Sequence, residues 1–360
     1  MDKIGILIAV NFVTQIMIDF VSVGYVDRIG YRKCMVLANA CAVLGLLGVG
    51  IFPFWFGNPM LGLTVATVCN GIGGGLLEVL VSPVVEACPT KQKEKAMSLL
   101  HSFYCWGHVA VVLVSTVYFR LFGIENWKIL ACIWALIPFA NMIAFTKVPI
   151  VSLLEEEEKG LTIKQLFRMR IFWVLMVMMV CAGASEQAVS QWASVFAETG
   201  LHINKTIGDL AGPMLFAVLM GSSRAFYGKY GERMDLDRFM TGSGILCVIA
   251  YLCISLVPGP IVGFAGCALC GLSVGVMWPG VFSKAAASVS RGGTAMFALL
   301  ALAGDVGCAG GPTAVGMISD ALGNHLKMGI LAGVLFPILL LIGIYLCRIW
   351  NRRACENICS

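Results

Sequence analysis

The stretch GIGGGLLEV, residues 71–79, returns 200 positions later as GLSVGVMWP, residues 271–279. Gly71 aligns with Gly271, Gly75 with Gly275, and Glu78 with Trp278. A second pair, DRIGYR at 27–32 and GKYGER at 228–233, stands at an offset of 201. Both members carry a basic residue, a glycine and an arginine at the same places. Two separate matches at nearly one spacing mark an internal duplication.

The duplicated segments are embedded in a chain made for lipid. Of 360 residues 59% are hydrophobic and only 12% are charged, half the share of a soluble domain. Runs of about 20 apolar residues mark membrane-spanning helices. Eleven are expected, near 4–26, 34–56, 60–82, 96–119, 127–147, 171–196, 208–227, 239–258, 261–283, 294–318 and 326–347. Of the 25 Lys and Arg residues, 20 fall in connections on one side, which the positive-inside rule makes cytoplasmic. The C-terminus is then inside and the N-terminus outside. The net charge of +5 reflects this topology, so no nucleic-acid partner is needed to explain it. The first apolar run lacks a small-residue cleavage site, so it does not read as a signal peptide. Most of the 15 cysteines lie inside spans without paired spacing and read as packing residues; Cys355 and Cys359 form a weak tail pair.

The basic loops place the duplication. Each follows the second helix of a six-helix half, so the first half is expected to lack its opening helix. The expected organisation is an N-terminal bundle of five spans (1–147), a cytoplasmic linker (148–170), a C-terminal bundle of six spans (171–347) and a tail (348–360). Glu155 to Glu158 in the linker read as a solvated face. Repeated six-span halves are the mark of a secondary transporter with its site near the midplane.

The residues Asp27, Arg28, Gly30, Arg32 and Lys33 resemble the loop motif G-x-L-A-D-R-x-G-R-R/K of the major facilitator superfamily, with Val23 at the leading glycine and Tyr31 at an arginine. The resemblance covers essentially the whole chain. It implies two pseudo-symmetric helical bundles, all-α, and a loop that clamps the inward gate. Within the superfamily, Gly75, Glu78 and Pro83 resemble the helix-four pattern G-x-x-E-x-x-x-N-P of the fucose permease branch, with Ser82 in place of asparagine. Tyr104 stands where that branch has a helix-five asparagine, and Glu186 to Trp192 is similar to its helix-seven pattern E-x-x-x-x-x-W. The resemblance implies a proton-coupling role for Glu78 and a sugar-related solute.

The residues themselves point to sites as well. A carboxylate at mid-membrane costs about 2.5–3.5 kcal/mol on insertion scales, and it survives by facing a cavity, by pairing or by taking a proton. Gly71, Gly75, Glu78 and Ser82 share one helix face, so small residues and the acid meet the same seam. Glu78 reads as a protonation site exposed to each side in turn, or as a neutral acid bonded to a neighbour. Glu186, Gln187, Gln191 and Trp192, with Ser190, form a polar patch suited to hydroxyl-rich ligands or to interhelical bonds. Asp305, among Gly304, Gly307 and Gly311 and before Pro312, lines a cavity or pairs structurally. Asn11 and Gln15 share a stripe with Asp19 and Ser22; the first two are expected to face the cavity. His101, Tyr104 and His108 share another face, with His101 and Tyr104 as substrate candidates. Trp278 stacks on a sugar ring or fills space before Pro279. Arg224 is expected to snorkel to the cytoplasm.

GIGGG lacks the Lys-Ser/Thr of a phosphate cradle, so it does not read as the nucleotide-binding loop of an ATP-driven pump. No enzyme constellation stands out, and no metal or other cofactor is expected. Asn204 opens a formal glycosylation sequon. The expected function is proton-coupled movement of a small polar solute across the plasma membrane by a monomer in the lipid bilayer. The competing readings are an efflux carrier for amphipathic compounds and a truncated, non-transporting membrane protein.

Overall fold

The computed structural model describes residues 2–151, 160–194, 205–289, 291–323 and 325–359. Residues 155–158 and Asn204 lie outside these, as do the side chains of Cys355 and Cys359. Among the described residues the regular structure is helical, with no strand. The helices before residue 150 are α1 (Asp2–Ile29), α2 (Tyr31–Trp55), α3 (Pro59–Ala87), α4 (Lys93–Phe122), α5 (Trp127–Trp134) and α6 (Leu136–Lys147). Then follow α7 (Ile163–Arg168), α8 (Arg170–Ser190), α9 (Lys205–Tyr230), α10 (Leu236–Leu256), α11 (Pro260–Val274), α12 (Met277–Ser288), α13 (Gly293–Ala321), α14 (Leu326–Gly333) and α15 (Leu335–Cys359).

Nine described helical stretches are long and apolar enough to cross a membrane. With α1 and α9, each expected span has a described helix along most of its length, 171–196 running past the end of α8 at Ser190. Several helices outrun their apolar runs, because the hydrocarbon core sets only the apolar length and a helix continues until it is capped. Asn58 caps α3 by accepting from the backbone N–H groups of Met60 and Leu61, with Pro59 in the first turn.

Three spans expected to be single helices are broken in two. The breaks follow Trp134, Val274 and Gly333, and Pro138, Pro279 and Pro337 explain them. A proline has no N–H for the carbonyl four residues earlier, which is Trp134, Gly275 and Gly333 respectively. Pro53, Pro83, Pro213 and Pro312 sit inside continuous helices, so proline permits a break without forcing one.

The chain divides into two compact units. The first comprises Met1–Cys88, Leu113–Thr162 and Arg291–Leu302. Here α3 packs on α1 through Gly71, which lies against Asn11 and Thr14, and Gly75, against Gln15 and Ile18. On another stripe Gly73 lies against Ala38 and Ala42 of α2. Val26, Tyr31, Cys34, Met35 and Leu80 form a buried core between these helices.

The second unit comprises Pro89–Val112, Ile163–Ser290 and Ala303–Ser360. Its α11 packs on α9 as α3 packs on α1: Gly271 lies against Phe216, and Gly275 against Met220 and Ser223. The duplication is therefore one of packing as well as of sequence. Helix α8 packs on α13 through glycines, Gly307 lying against the Val180 carbonyl and Gly311 against Ala184, while Gly183 faces the Gly304 carbonyl. The glycines around Asp305 thus serve close packing, and α13 runs unbroken past Pro312.

Candidate functional site

The second unit contains a buried ion pair between α8 and α9. Glu186 lies near the end of α8 and is 7% exposed; Arg224 lies on α9 and is 3% exposed. Arg224 Nη2 donates to Glu186 Oε2 at 3.2 Å. Its Nε donates to the Gly275 carbonyl at 2.7 Å, and its Nη1 to the His101 carbonyl at 3.0 Å and to Cys105 Sγ at 3.3 Å. Gln187 Nε2 donates to the other oxygen of Glu186 at 3.4 Å. Taking each ion out of water costs several kcal/mol, which only close partners offset, and here the guanidinium is bonded through all three nitrogens.

The expectation that Arg224 snorkels is corrected by this geometry. Side chains on a helix tilt toward its N-terminus, so Arg224 reaches back along α9 and away from Tyr230. The helix also continues six residues beyond it, keeping the guanidinium inside the packed helices.

An aromatic chain runs from the same site. His101 stacks on Phe282 at 5.8 Å, and Trp278 meets Phe282 edge-on at 6.3 Å. Trp278, the repeat mate of Glu78, is 8% exposed, and its ring covers Gly304 beside buried Asp305. Tyr104 is 59% exposed and His108 is exposed, so α4 turns both away from the buried His101 carbonyl.

The end of α8 carries the remaining candidates. Ser190 Oγ donates to Gln187 Oε1 at 3.2 Å, and Gln191 is exposed. Trp192 Nε1 is enclosed with no acceptor among the described residues.

Beyond Arg224, α4 and α9 remain bonded to their ends. Gly221 lies against Cys105 and Gly228 against Leu99, which lets the helices touch. Ser98 Oγ donates to the Arg224 carbonyl at 2.8 Å, Tyr227 Oη to Glu94 at 2.9 Å, and Lys95 to Glu232 at 2.6 Å. Lys95 holds the Glu232 carboxyl below the ordinary carboxylate range, first by this hydrogen bond and then by its charge.

The first unit also holds a bond between a carboxylate and a hydroxyl. Thr294, 200 positions after Glu94, donates to Asp27 at 2.5 Å; at the offset of 201 that joins DRIGYR to GKYGER, Asp27 stands one residue past Val26, the mate of Tyr227. Here the carboxylate is on α1 and the hydroxyl on α13, and Tyr31 Oη also bonds Thr294. Gly30 joins α1 to α2 at φ +92°, a conformation that favours glycine. Arg32 donates to the carbonyls of Phe145 and Thr146, both at 2.9 Å, satisfying the C-terminal end of α6. Arg28 and Lys33 are exposed.

On α1, Asn11 Nδ2 donates to Gln15 Oε1 at 3.2 Å, and the Gln15 amide lies over Gly74. Glu78 is half-buried, one turn from Gly75 on the stripe that α3 turns to α1. Asp19 is buried. The structure thus gathers Asn11, Gln15 and Glu78 on the α1–α3 seam of one unit. In the other it gathers Glu186, Gln187 and His101 around Arg224, with Trp278 linked to His101 through Phe282.

The family model of the Major Facilitator Superfamily matches residues 2–312. The chain belongs to that superfamily. No curated protein matches the sequence. Among solved structures, the E. coli fucose:proton symporter FucP superposes with a TM-score of 0.80 at 13% identity, over 96% of this chain and 91% of that one. A FucP structure in the outward conformation gives 0.82 at 14%, over 96% and 90%. The proton:xylose symporter XylE gives 0.80 at 13%, over 95% and 85%. At these identities the likeness is one of fold. This Major Facilitator Superfamily chain is a multi-pass membrane transporter and not an enzyme.

Two of its site groups escaped sequence reasoning, the guanidinium of Arg224 and the Gly275 carbonyl. A signal existed for the second: Pro279 removes the helical donor for that oxygen.

Proposed function

We propose that this transporter moves a small polar solute, a sugar or related polyhydroxyl compound, across the plasma membrane by alternating access, with protons coupled through Glu78. The observation that carries the reading is the buried polar site of the second unit, where Glu186 and Arg224 neutralise each other within apolar helices. A site of no net charge with amides at its edge is suited to a neutral solute rich in hydroxyls. Solved structures of like fold include symporters of fucose and xylose, in keeping with that class. Solute contacts are assigned to Asn11, Gln15, His101, Tyr104, Glu186, Gln187, Gln191, Trp192, Trp278 and Asp305. Asp27, Arg28, Gly30, Arg32 and Lys33 form the gating loop.

Glu78 is the one acid of the repeated segment, since its mate is Trp278. Mid-membrane carboxylates are costly, so loading a proton makes the carrier easier to reorient. The proposed organisation remains two bundles, 1–147 and 171–347, joined by 148–170, with the tail 348–360 cytoplasmic. The experiment is uptake of labelled sugars into proteoliposomes under an imposed pH gradient. Wild type accumulates the solute uphill, whereas Glu78→Gln loses accumulation and keeps exchange. Normal pH-driven accumulation by the variant refutes coupling at Glu78, and no uptake of any sugar refutes the solute class.

A further inference from the structure

The Gly275 carbonyl, at the break between α11 and α12, has no helical donor because residue 279 is proline. In a membrane-spanning segment water does not make up the loss, and an unsatisfied carbonyl is expensive. Arg224 Nε supplies the donor at 2.7 Å. We infer that Arg224 is a positioning residue of the transport cycle: it splints this proline break, and its release from Gly275 lets α12 bend.

Three observations support the assignment. The other proline breaks, at Trp134 and Gly333, receive no side-chain donor on those carbonyls among the described residues, so a splint is particular to this one. The same guanidinium is bonded to Glu186 of α8 and to the His101 carbonyl and Cys105 of α4. A change in any of these helices therefore reaches Gly275 through one rigid planar group. Trp278 stands one turn beyond the break, with its ring on Gly304, so bending at Gly275 moves that ring relative to α13.

The duplication supplies a comparison. The mate of Pro279 is Val79 and that of Arg224 is Val23, and α3 is one continuous helix where α11–α12 is broken. Proline and arginine occur together in the second half and are replaced together in the first. The inference rests on the carrier reading only for its last step, the release.

The splint is tested without any solute, by hydrogen exchange of the full-length protein in detergent, read by mass spectrometry on peptides covering 276–283. Arg224→Gln raises exchange there by about tenfold or more, as expected for loss of a hydrogen bond from a charged group. Pro279→Ala in that background, combined with Glu186→Gln to remove the charge that Arg224 leaves unpaired, returns exchange toward the wild-type level, because residue 279 then donates to Gly275 itself. A lesion that merely loosens the bundle is not reversed in this way. If Arg224→Gln fails to fold, Arg224→Lys replaces it, keeping the charge without the guanidinium fork. Unchanged exchange in the arginine variant, or no reversal by Pro279→Ala, overturns the splint. The release step is read separately: Pro279→Ala alone slows uptake several-fold while solute affinity holds. Wild-type uptake rates in Pro279→Ala overturn the release and leave the splint. An inactive wild type overturns the carrier reading, and the exchange result still decides the splint.

Discussion

Arg224 and Gly275 are joined by a 2.7 Å hydrogen bond that runs from a guanidinium nitrogen to a backbone carbonyl. Pro279 creates the need for it, and α9, packed on α11 through Gly271 and Gly275, brings the donor within reach. The same arginine meets Glu186, so backbone irregularity and buried charge are satisfied by one side chain.

Glu186 and Arg224 are expected to fail separately and to compensate jointly. Truncating either to alanine leaves the other charge buried, which costs about 3–5 kcal/mol. The double variant Glu186→Gln with Arg224→Gln removes both charges and costs less than the two single glutamine changes added. Denaturant unfolding in detergent measures the cycle, and strict additivity refutes the pairing.

Thr294→Val removes the hydroxyl shared by Asp27 and Tyr31. The expected loss is about 1.5–3 kcal/mol, the range for hydrogen bonds to charged groups. Thr294→Ser keeps most of the stability. Unfolding midpoints of the two variants give the comparison, and equal losses would show that the methyl group matters more than the hydroxyl.

The glycines of α13 are expected to divide sharply. A Cβ on Gly307 would overlap the Val180 carbonyl, whereas Gly310 has nothing within 4 Å. Gly307→Ala therefore lowers the melting temperature. Gly310→Ala leaves it unchanged or raises it, since alanine favours helix over glycine by about 1 kcal/mol. Thermal melts of both, side by side, check the contrast.

The Lys95–Glu232 pair has a defined pH signature. Lys95 lowers the Glu232 carboxyl below its ordinary range. The contribution is therefore complete above the ordinary glutamate value and is lost as pH falls through the lowered one. The difference in melting temperature between wild type and Lys95→Met is expected to stay constant from pH 7 to pH 5. It shrinks below about pH 4, and at pH 7 it shrinks in high salt. A difference that vanishes between pH 7 and pH 5 would assign it to another group.

Much of this protein is legible in one dimension. Apolar run length locates the nine described stretches long enough to cross a membrane, because the thickness of the hydrocarbon core dictates that length. The recurrence of Gly71 and Gly75 as Gly271 and Gly275 foretells that α1–α3 and α9–α11 pack alike, because close helix contact needs small residues at fixed spacing. The three helix breaks are written in Pro138, Pro279 and Pro337, although four other prolines leave their helices whole, so only the folded chain shows which ones act.

The site is legible in part. Glu186 stands out from sequence because a buried carboxylate is costly wherever it sits. Its partner does not, because Arg224 is 38 residues away in the chain and near a helix end, where an arginine reads as a surface group. Only the tertiary structure turns Arg224 back along α9 to Glu186 and Gly275. Likewise, only the fold pairs Glu94 with Tyr227 and Asp27 with Thr294. Composition and periodicity report what each residue avoids, which is water or lipid; the choice of partner depends on which helices touch, and that is decided by packing across the whole chain.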